Sequence, residues 1–246
     1  MTKEYKHVIS LGHACAVAHE MEHLGFRDHS GPFDWLASTR LEPKIDFIKN
    51  GFKTFFEDLT PQELYQRRVP SAYMMKDKFL YFIHDFNEYD SLEKQLPAVR
   101  AKFERRVKSF YEDVKEPTLF VYYLSDDPED AKWIDENADY IIEVLRSFNP
   151  ANDILYLADP KVKFAQPCFY VENDEGSDIA YDFTKKSDEI LNFFEHLPYS
   201  AEQRERNIAF FKRNQMGGAK KLKKKIRMIY LRLTHKVYRH SLVSLD

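Results

Sequence analysis

Cys15 is the residue of this sequence that is best suited to nucleophilic chemistry. Residues 8–11 form a short apolar run that predicts a buried strand, and residues 14–24 have the composition of a helix that Gly25 ends. Cys15 is therefore expected in the first turn of a helix, just past a strand end. The N–H groups of such a turn favour a thiolate and can hold an oxyanion.

A loop rich in polar groups follows this predicted helix. Residues 26–35 contain the turn Gly31-Pro32 together with charged and aromatic side chains. Loops beside a strand end often carry binding residues. We expect ligand contacts from this loop, from the neighbouring histidine and from a basic pair further along the chain, namely His13, Ser30, Trp35, Arg105 and Arg106.

The elements that must position these residues alternate between strand and helix. Strands are predicted at 8–11, 79–83, 118–124, 154–157 and 169–171. Helices are predicted at 14–24, 41–50, from Thr60 onward, 91–114, 131–148, 187–196 and 200–214. This order predicts an α/β fold with a Rossmann-like, mostly parallel sheet covered by helices on both faces.

Polar residues follow several of the predicted strands. Ligands gather at the carboxyl ends of the strands in parallel sheets. We therefore expect Cys15, His84, Asp126 and Asp159 to share one edge of the sheet.

The charge of the chain is unevenly distributed. The formal net charge is -3, yet 212–246 contains eleven basic side chains and a single acidic one, so the preceding body is acidic. An acidic body gives no general footprint for nucleic acid, and no specific nucleic acid is expected as a partner. We expect one α/β domain over 1–215 and a basic amphipathic helical tail over 216–246.

The tail and the cysteine content bear on location. Apolar residues at helical spacing among many lysines and arginines predict peripheral membrane or protein contact through 219–240. Two cysteines far apart, without a signal peptide or an apolar run of 18 residues, predict a cytoplasmic protein, either free or at the inner face of the membrane.

Several motifs together resemble a bacterial family of unknown function described as papain-like cysteine peptidases. The resemblance covers about residues 5–160. It is carried by Ser10-Leu11-Gly12-x-x-Cys15, Gly25-Phe26-Arg27, Ser30-x-Pro32-Phe33-Asp34-Trp35, His84-Asp85-Phe86, Lys102-Phe103-x-Arg105-Arg106 and Leu119-Phe120-Val121. The strand then continues with two tyrosines where the family more often has arginine.

The resemblance implies Cys15 as nucleophile and His84 as its base. A base of this kind needs a group that orients its ring, and Asp34 or Asp85 could supply it. Asp34 is preferred, because on a strand Asp85 would face away from its neighbour His84. The family's association with carbohydrate genes further implies a link to cell-surface polysaccharide metabolism.

A second pattern, His19-Glu20-Met21-Glu22-His23, matches the zinc-protease helix in which two histidines bind the ion. Only 18 residues precede it, too few for the sheet that normally supports such a helix, and no metal or other cofactor is expected. Three hypotheses remain open. They are a thiol hydrolase or acyltransferase acting on a peptide or small molecule, an α/β domain that binds a carbohydrate-pathway ligand, and a zinc hydrolase.

Overall fold

The computed structural model describes residues 3–38, 40–62, 72–87, 90–177 and 179–215. Its strands are β1 (His7–Ser10), β2 (Ala37–Ser38), β3 (Leu59–Gln62), β4 (Ala72–Met75), β5 (Leu80–Phe82), β6 (Thr118–Leu124), β7 (Asp153–Ala158) and β8 (Cys168–Tyr170). Its helices are α1 (Cys15–His23), α2 (Glu42–Asn50), α3 (Leu92–Asp113), α4 (Pro128–Glu136), α5 (Ala138–Arg146), α6 (Phe183–Lys186), α7 (Asp188–Glu195) and α8 (Ala201–Gln215).

A parallel sheet with the strand order β1-β6-β7-β8 forms the centre of the molecule. All seven residues of β6 are buried, as expected for a strand that is covered on both faces. The two faces of β6 enter different apolar clusters, because successive side chains of a strand point to opposite sides. Phe120 and Tyr122 pack with residues of α2, α3, α4 and α5, whereas Leu119 and Tyr123 pack with residues of α1, α6 and α7. The predicted fold class is confirmed.

A second sheet is antiparallel, with the order β2-β5-β4-β3. The predicted strand at 79–83 exists as β5, but its assignment to the parallel sheet was wrong. The neighbours of β5 are β4, which precedes it through a single short turn, and β2. Such a turn favours antiparallel pairing, since a parallel pair needs a crossover.

Two further local predictions were wrong. The sequence predicts a helix start at Pro61, yet this proline lies in β3, which pairs with β4. The single helix predicted over 131–148 is two helices, α4 and α5, that meet at Asn137.

None of the helices in the described ranges is long and apolar enough to cross a membrane. The predicted basic tail at 216–246 lies outside the described residues.

Candidate active site

Cys15 is the first residue of α1, as the sequence predicts. Gly12 makes the turn between β1 and this helix with a positive φ of 58°, and a Cβ there would lie 2.9 Å from the carbonyl oxygen of Ala14. Only glycine adopts this close turn without strain. Ala14 occupies the N-cap position, and no side chain caps the helix. The first-turn N–H groups therefore have no side-chain acceptor and give this end of α1 a partial positive charge.

A tyrosine from a distant part of the chain contacts the thiol. Cys15 Sγ and Tyr181 Oη are 3.0 Å apart, which is within hydrogen-bond distance for sulfur. The Tyr181 backbone N–H in turn donates to Asp174 Oδ2 at 3.2 Å. Tyr181 follows Cys15 by 166 residues, and no local sequence signal connects the two.

Lys44 of α2 supports the turn before Cys15 from inside the protein. Its side chain is only 2% exposed, and Nζ donates to the Gly12 carbonyl oxygen at 3.1 Å. The C=O and N–H of one trans peptide point in opposite directions. Lys44 therefore holds the Gly12–His13 peptide so that the His13 N–H points away from the lysine.

The buried ammonium group of Lys44 interacts with the ring of Tyr122 and with the charge of Asp130. Nζ lies 4.7 Å from the ring centre of Tyr122, and Tyr122 Oη donates to Asp130 Oδ2 at 2.5 Å. Burial lowers the pKa of Lys44 below its ordinary value, although the charge of Asp130 opposes this shift. Burial raises the pKa of Asp130 above its ordinary value, while the hydrogen bond from Tyr122 opposes it. The pKa values of this lysine and this carboxyl therefore approach each other.

His13 is buried just past the carboxyl end of β1, in the parallel sheet. Its side chain is 5% exposed, and its ring meets the ring of Tyr123 edge-on with centres 6.5 Å apart. Tyr123 Oη lies 2.5 Å from Asn173 Oδ1, and the Asn173 backbone N–H donates to Asp159 Oδ2 at 2.9 Å. Asp159 thus fixes the segment after β8. Because β1, β6 and β7 are parallel neighbours, Cys15, Asp126 and Asp159 follow their carboxyl ends at one edge of the sheet, as predicted.

The structure places His84 elsewhere than expected. It is exposed and follows β5, so it ends a strand of the antiparallel sheet. The expectation that it shares the edge of the parallel sheet with Cys15 was wrong, because β5 is not in that sheet. Its neighbour Asp85 has a buried carboxylate that forms an ion pair with Lys102 Nζ.

The loop over residues 26–35 is organised around the buried guanidinium of Arg27. Arg27 Nε lies 2.9 Å from Asp34 Oδ2, which also accepts the Gly31 N–H at 2.7 Å. Arg27 Nη2 donates to Ser30 Oγ at 2.8 Å, and Trp35 Nε1 donates to the same oxygen at 3.2 Å. Asp34, Ser30 and Trp35 are therefore brought together, and all three shape the loop.

The two arginines of the predicted basic pair have different surroundings. Arg105 is exposed, and Nη1 donates to the carbonyl of Ala101 on its own helix. Arg106 is half-buried, and burial lowers its pKa, although Asp85 and Asp34 both favour its charged form. The structure thus brings Arg106 close to Asp34 and Asp85, whereas Arg105 faces solvent.

A cavity of about 390 Å³ lies along β1, between the 26–34 part of this loop and α8. His29 lines it and contacts two carboxylates, Asp28 Oδ1 at 2.5 Å and Asp113 Oδ2 at 3.0 Å. These hydrogen bonds, that to Asp113 above all, raise the pKa of His29 to about 10. Ser10 Oγ, buried in the cavity wall, has no hydrogen-bond partner among the described residues.

Metal-ligating groups converge on the opposite end of α1 from Cys15. Within the described ranges, Glu20, His23 and Asp182 each offer one ligand atom, and these atoms lie within 4.8 Å of one another.

Comparison with known proteins identifies the class. The family described as "Putative papain-like cysteine peptidase (DUF1796)" matches residues 6–152. The chain belongs to this family, which is the family that its motifs resemble. The matched stretch includes Cys15 and His84, whereas Tyr181 lies beyond it.

Among individual proteins, the chain is similar to an uncharacterised protein of Acanthamoeba polyphaga mimivirus. The two are 26% identical over an alignment of 177 residues that covers 63% of this chain and 78% of the viral protein. No solved structure matches the chain.

Proposed function

We propose that this chain is a thiol hydrolase or acyltransferase of the cysteine-peptidase class with Cys15 as its nucleophile. The observation that carries the proposal is the position of Cys15 in an uncapped first helical turn, reached through a turn that Gly12 and Lys44 fix. A helix start stabilises a thiolate and also supplies N–H donors for an oxyanion. Tyr181 Oη, at 3.0 Å, can donate a hydrogen bond to the same sulfur.

The reaction proposed here has two steps. The Cys15 thiolate attacks a carbonyl carbon, the oxyanion is held by N–H groups at the start of α1, and a histidinium gives its proton to the leaving group as the bond to it breaks. This step leaves a thioester on Sγ. Water or another acceptor then loses a proton to the histidine, attacks the thioester and releases the acyl group with a free thiolate.

The base is a histidine, and His84 is the residue that the family resemblance implies. The carboxylates proposed to orient it, Asp34 and Asp85, each have a cationic partner in Arg27 and Lys102 respectively. Two alternatives arise from the fold, because His13 lies two residues before Cys15 and His19 one helical turn after it.

The experiment that tests the function is acyl trapping with p-nitrophenyl acetate. Transfer of one acetyl group to Cys15, with release of one nitrophenolate, is expected in wild type and in Cys168→Ser, and its loss is expected in Cys15→Ser. Peptide mass spectrometry locates the acetyl group. Acetylation at Cys168 instead, or none in folded wild type, would refute the proposal.

The base is assigned by comparing His84→Ala, His13→Ala and His19→Ala with His196→Ala, which alters an exposed histidine at the C-cap of α7. Loss of a general base typically lowers a rate by about 10²–10⁴-fold. The rate of acetylation of Cys15 should fall by this factor in one of the three variants, whereas His196→Ala should leave it unchanged. Equal rates in all four would mean that no histidine acts as base.

A second candidate function rests on the cavity beside β1. Hydroxyl and amide groups of Tyr5, Ser10, Tyr199, Ser200 and Gln203 line it together with charged groups of the 26–34 loop. This mixture of donors and acceptors suits a polyhydroxylated ligand, as the polysaccharide link of the resemblance would require. Thermal stabilisation by neutral sugars or uronic acids, lost in Gln203→Ala, supports ligand binding. No shift with any of them would reject it.

A further inference from the structure

The cluster of Glu20, His23 and Asp182 brings three metal-ligating groups together from two distant segments. Glu20 and His23 are three residues apart on α1 and so lie on one face of the helix. Asp182 comes from the segment that precedes α6 and has a positive φ of 49°. The three potential ligand atoms lie within 4.8 Å of one another.

Glu20 is a buried carboxylate without a cationic partner among the described residues. Its side chain is 3% exposed, and Oε1 accepts hydrogen bonds from the backbone N–H and the hydroxyl of Thr184. Both donors are neutral. A carboxylate removed from water is costly unless a positive charge compensates it, and a metal ion would supply that charge.

A second imidazole stands next to the cluster. The rings of His19 and His23 meet edge-to-face with centres 4.1 Å apart. Two histidines at this i,i+4 spacing on a helix can reach one metal ion. His23 is exposed and His19 is half-buried, so both rings can turn without disturbing the core.

We propose that Glu20, His23 and Asp182 bind one divalent transition-metal ion, of which Zn²⁺ is the best representative, with His19 available as a fourth ligand. Imidazole and carboxylate donors together suit Zn²⁺, whereas Mg²⁺ and Ca²⁺ prefer oxygen ligands throughout. Bonds of about 2.0–2.2 Å around a tetrahedral ion place ligand atoms roughly 3.4 Å apart. The three side chains would close around the ion by about 1 Å.

This site differs from the zinc-protease arrangement that the sequence pattern suggests. In that arrangement His19 and His23 hold the ion and Glu20 acts on a bound water. Here Glu20 is a ligand, and Asp182 provides a carboxylate that no local pattern indicates. The ion would have a structural role, because it ties the segment before α6 to α1. That segment includes Tyr181, whose hydroxyl contacts Cys15.

Zinc binding to the whole chain tests the site directly. The protein is dialysed against a buffered low concentration of Zn²⁺, and bound metal is measured by mass spectrometry. One equivalent is expected in wild type. The affinity should fall at least tenfold in His23→Ala and in Asp182→Asn, because each removes a ligand at a position that is not in the core.

Matched controls separate a specific site from general surface binding. His196→Ala alters the exposed histidine at the C-cap of α7, and Asp188→Asn alters an exposed aspartate in its first turn. Both variants should bind zinc like wild type. Cys15→Ser should also keep its zinc. Failure of Cys15 as a nucleophile would therefore leave the metal result intact.

Hydrogen exchange gives a second, structural measurement. Zn²⁺ should slow amide exchange over residues 181–184 in wild type and leave it unchanged in His23→Ala. Three outcomes would overturn the proposal: no zinc retained by folded wild type, equal affinity in both ligand variants, or loss of zinc in Cys15→Ser, which would assign the metal to the thiol.

Discussion

The two cysteines of this chain have similar neighbours but different backbones. Both are free and half-buried, and each hydrogen-bonds to a tyrosine hydroxyl, Cys15 to Tyr181 and Cys168 to Tyr170. Cys15 begins the helix α1, whereas Cys168 begins the strand β8 and pairs in register with Tyr156 of β7. The difference between them is therefore mainly the backbone that carries the thiol.

This difference predicts that a tyrosine neighbour alone does not make a thiol reactive. Burial raises the pKa of the Cys168 thiol, and the hydrogen bond from Tyr170 only opposes that shift. A strand offers its N–H groups to the neighbouring strand, whereas the first turn of a helix has N–H groups without intrahelical partners. We propose nucleophilic chemistry for Cys15 because of that turn and because Lys44 supports the residues before it.

Removal of the Lys44 amine should have the largest effect on the difference in reactivity between Cys15 and Cys168. Lys44→Met leaves the Gly12 carbonyl without its donor, so the Gly12–His13 peptide loses a contact that holds it. We expect alkylation of Cys15 by iodoacetamide to slow about tenfold, because the turn that positions Cys15 at the positive end of α1 loses this support and its thiolate is less stabilised. The rate at Cys168 should not change.

The matched control is Lys49→Met. Lys49 is on the same helix, is exposed and contacts Tyr140. Lys49→Met should leave the alkylation rates of Cys15 and of Cys168 as in wild type. A Lys44→Met protein that is folded by circular dichroism and alkylates Cys15 at the wild-type rate would break the link between the lysine and the thiol.

The titration of Lys44 should also appear in stability. The unfolded chain keeps the lysine proton up to its ordinary pKa of 10.5, whereas burial makes the folded protein release it at a lower pH. Between the two pKa values the unfolded state binds more protons, so stability rises with pH. The free energy of unfolding of wild type relative to Lys44→Met should therefore rise as the pH increases from neutrality towards about 10. Urea unfolding measures it, and a difference that does not change with pH would contradict the burial of a titrating lysine.

A smaller effect is expected from the tyrosine hydroxyls. Tyr181→Phe removes one hydrogen bond to Cys15, and we expect alkylation at neutral pH to slow about threefold, which corresponds to a modest hydrogen bond. Tyr170→Phe is the parallel change at Cys168. If the alkylation rate of Cys15 falls more in Tyr181→Phe than in Lys44→Met, Tyr181 contributes more than Lys44 to the reactivity of the thiol.

The smallest effect should come from His29, which lies in the loop cavity. Its folded pKa of about 10 exceeds the ordinary 6.5, so its stabilisation is fully present below about pH 6.5 and is lost as pH rises towards 10. The side chain is 39% exposed, and after solvent screening we expect only about 0.5 kcal/mol. The stability difference between wild type and His29→Gln should shrink by that amount from about pH 6 to about pH 9.5, with the Cys15 rate unchanged.

Much of the parallel sheet and its helices could be predicted from local sequence, because the composition of these segments is typical of buried strands and of helices. The apolar run of β6 and the sequence before Cys15 were interpreted correctly, since a buried strand and a Gly-bounded helix have strong local signals. The second sheet was not predicted. The proline of β3 carries a helix-start signal that pairing with β4 overrides, and the error about β5 displaced His84 with it.

The supports of Cys15 were missed for two different reasons. Tyr181 reaches the thiol across 166 residues, and only the folded chain brings such residues together. Lys44 did have a signal, because it falls at helical spacing on the apolar stripe of Leu41, Ile45 and Ile48. A lysine on a buried stripe indicates either an error in the predicted stripe or a functional burial, and here it is buried.

The most direct test of the central claim is the rate of alkylation of Cys15 and of Cys168 against pH in the native protein, measured by peptide mass spectrometry. Cys15 should react faster than Cys168 at neutral pH, because the start of α1 favours its thiolate, while Cys168, whose pKa is raised by burial, should react only at higher pH. If Cys15 is no faster than Cys168 in the folded protein, the start of α1 does not activate its thiol and the nucleophile assignment fails.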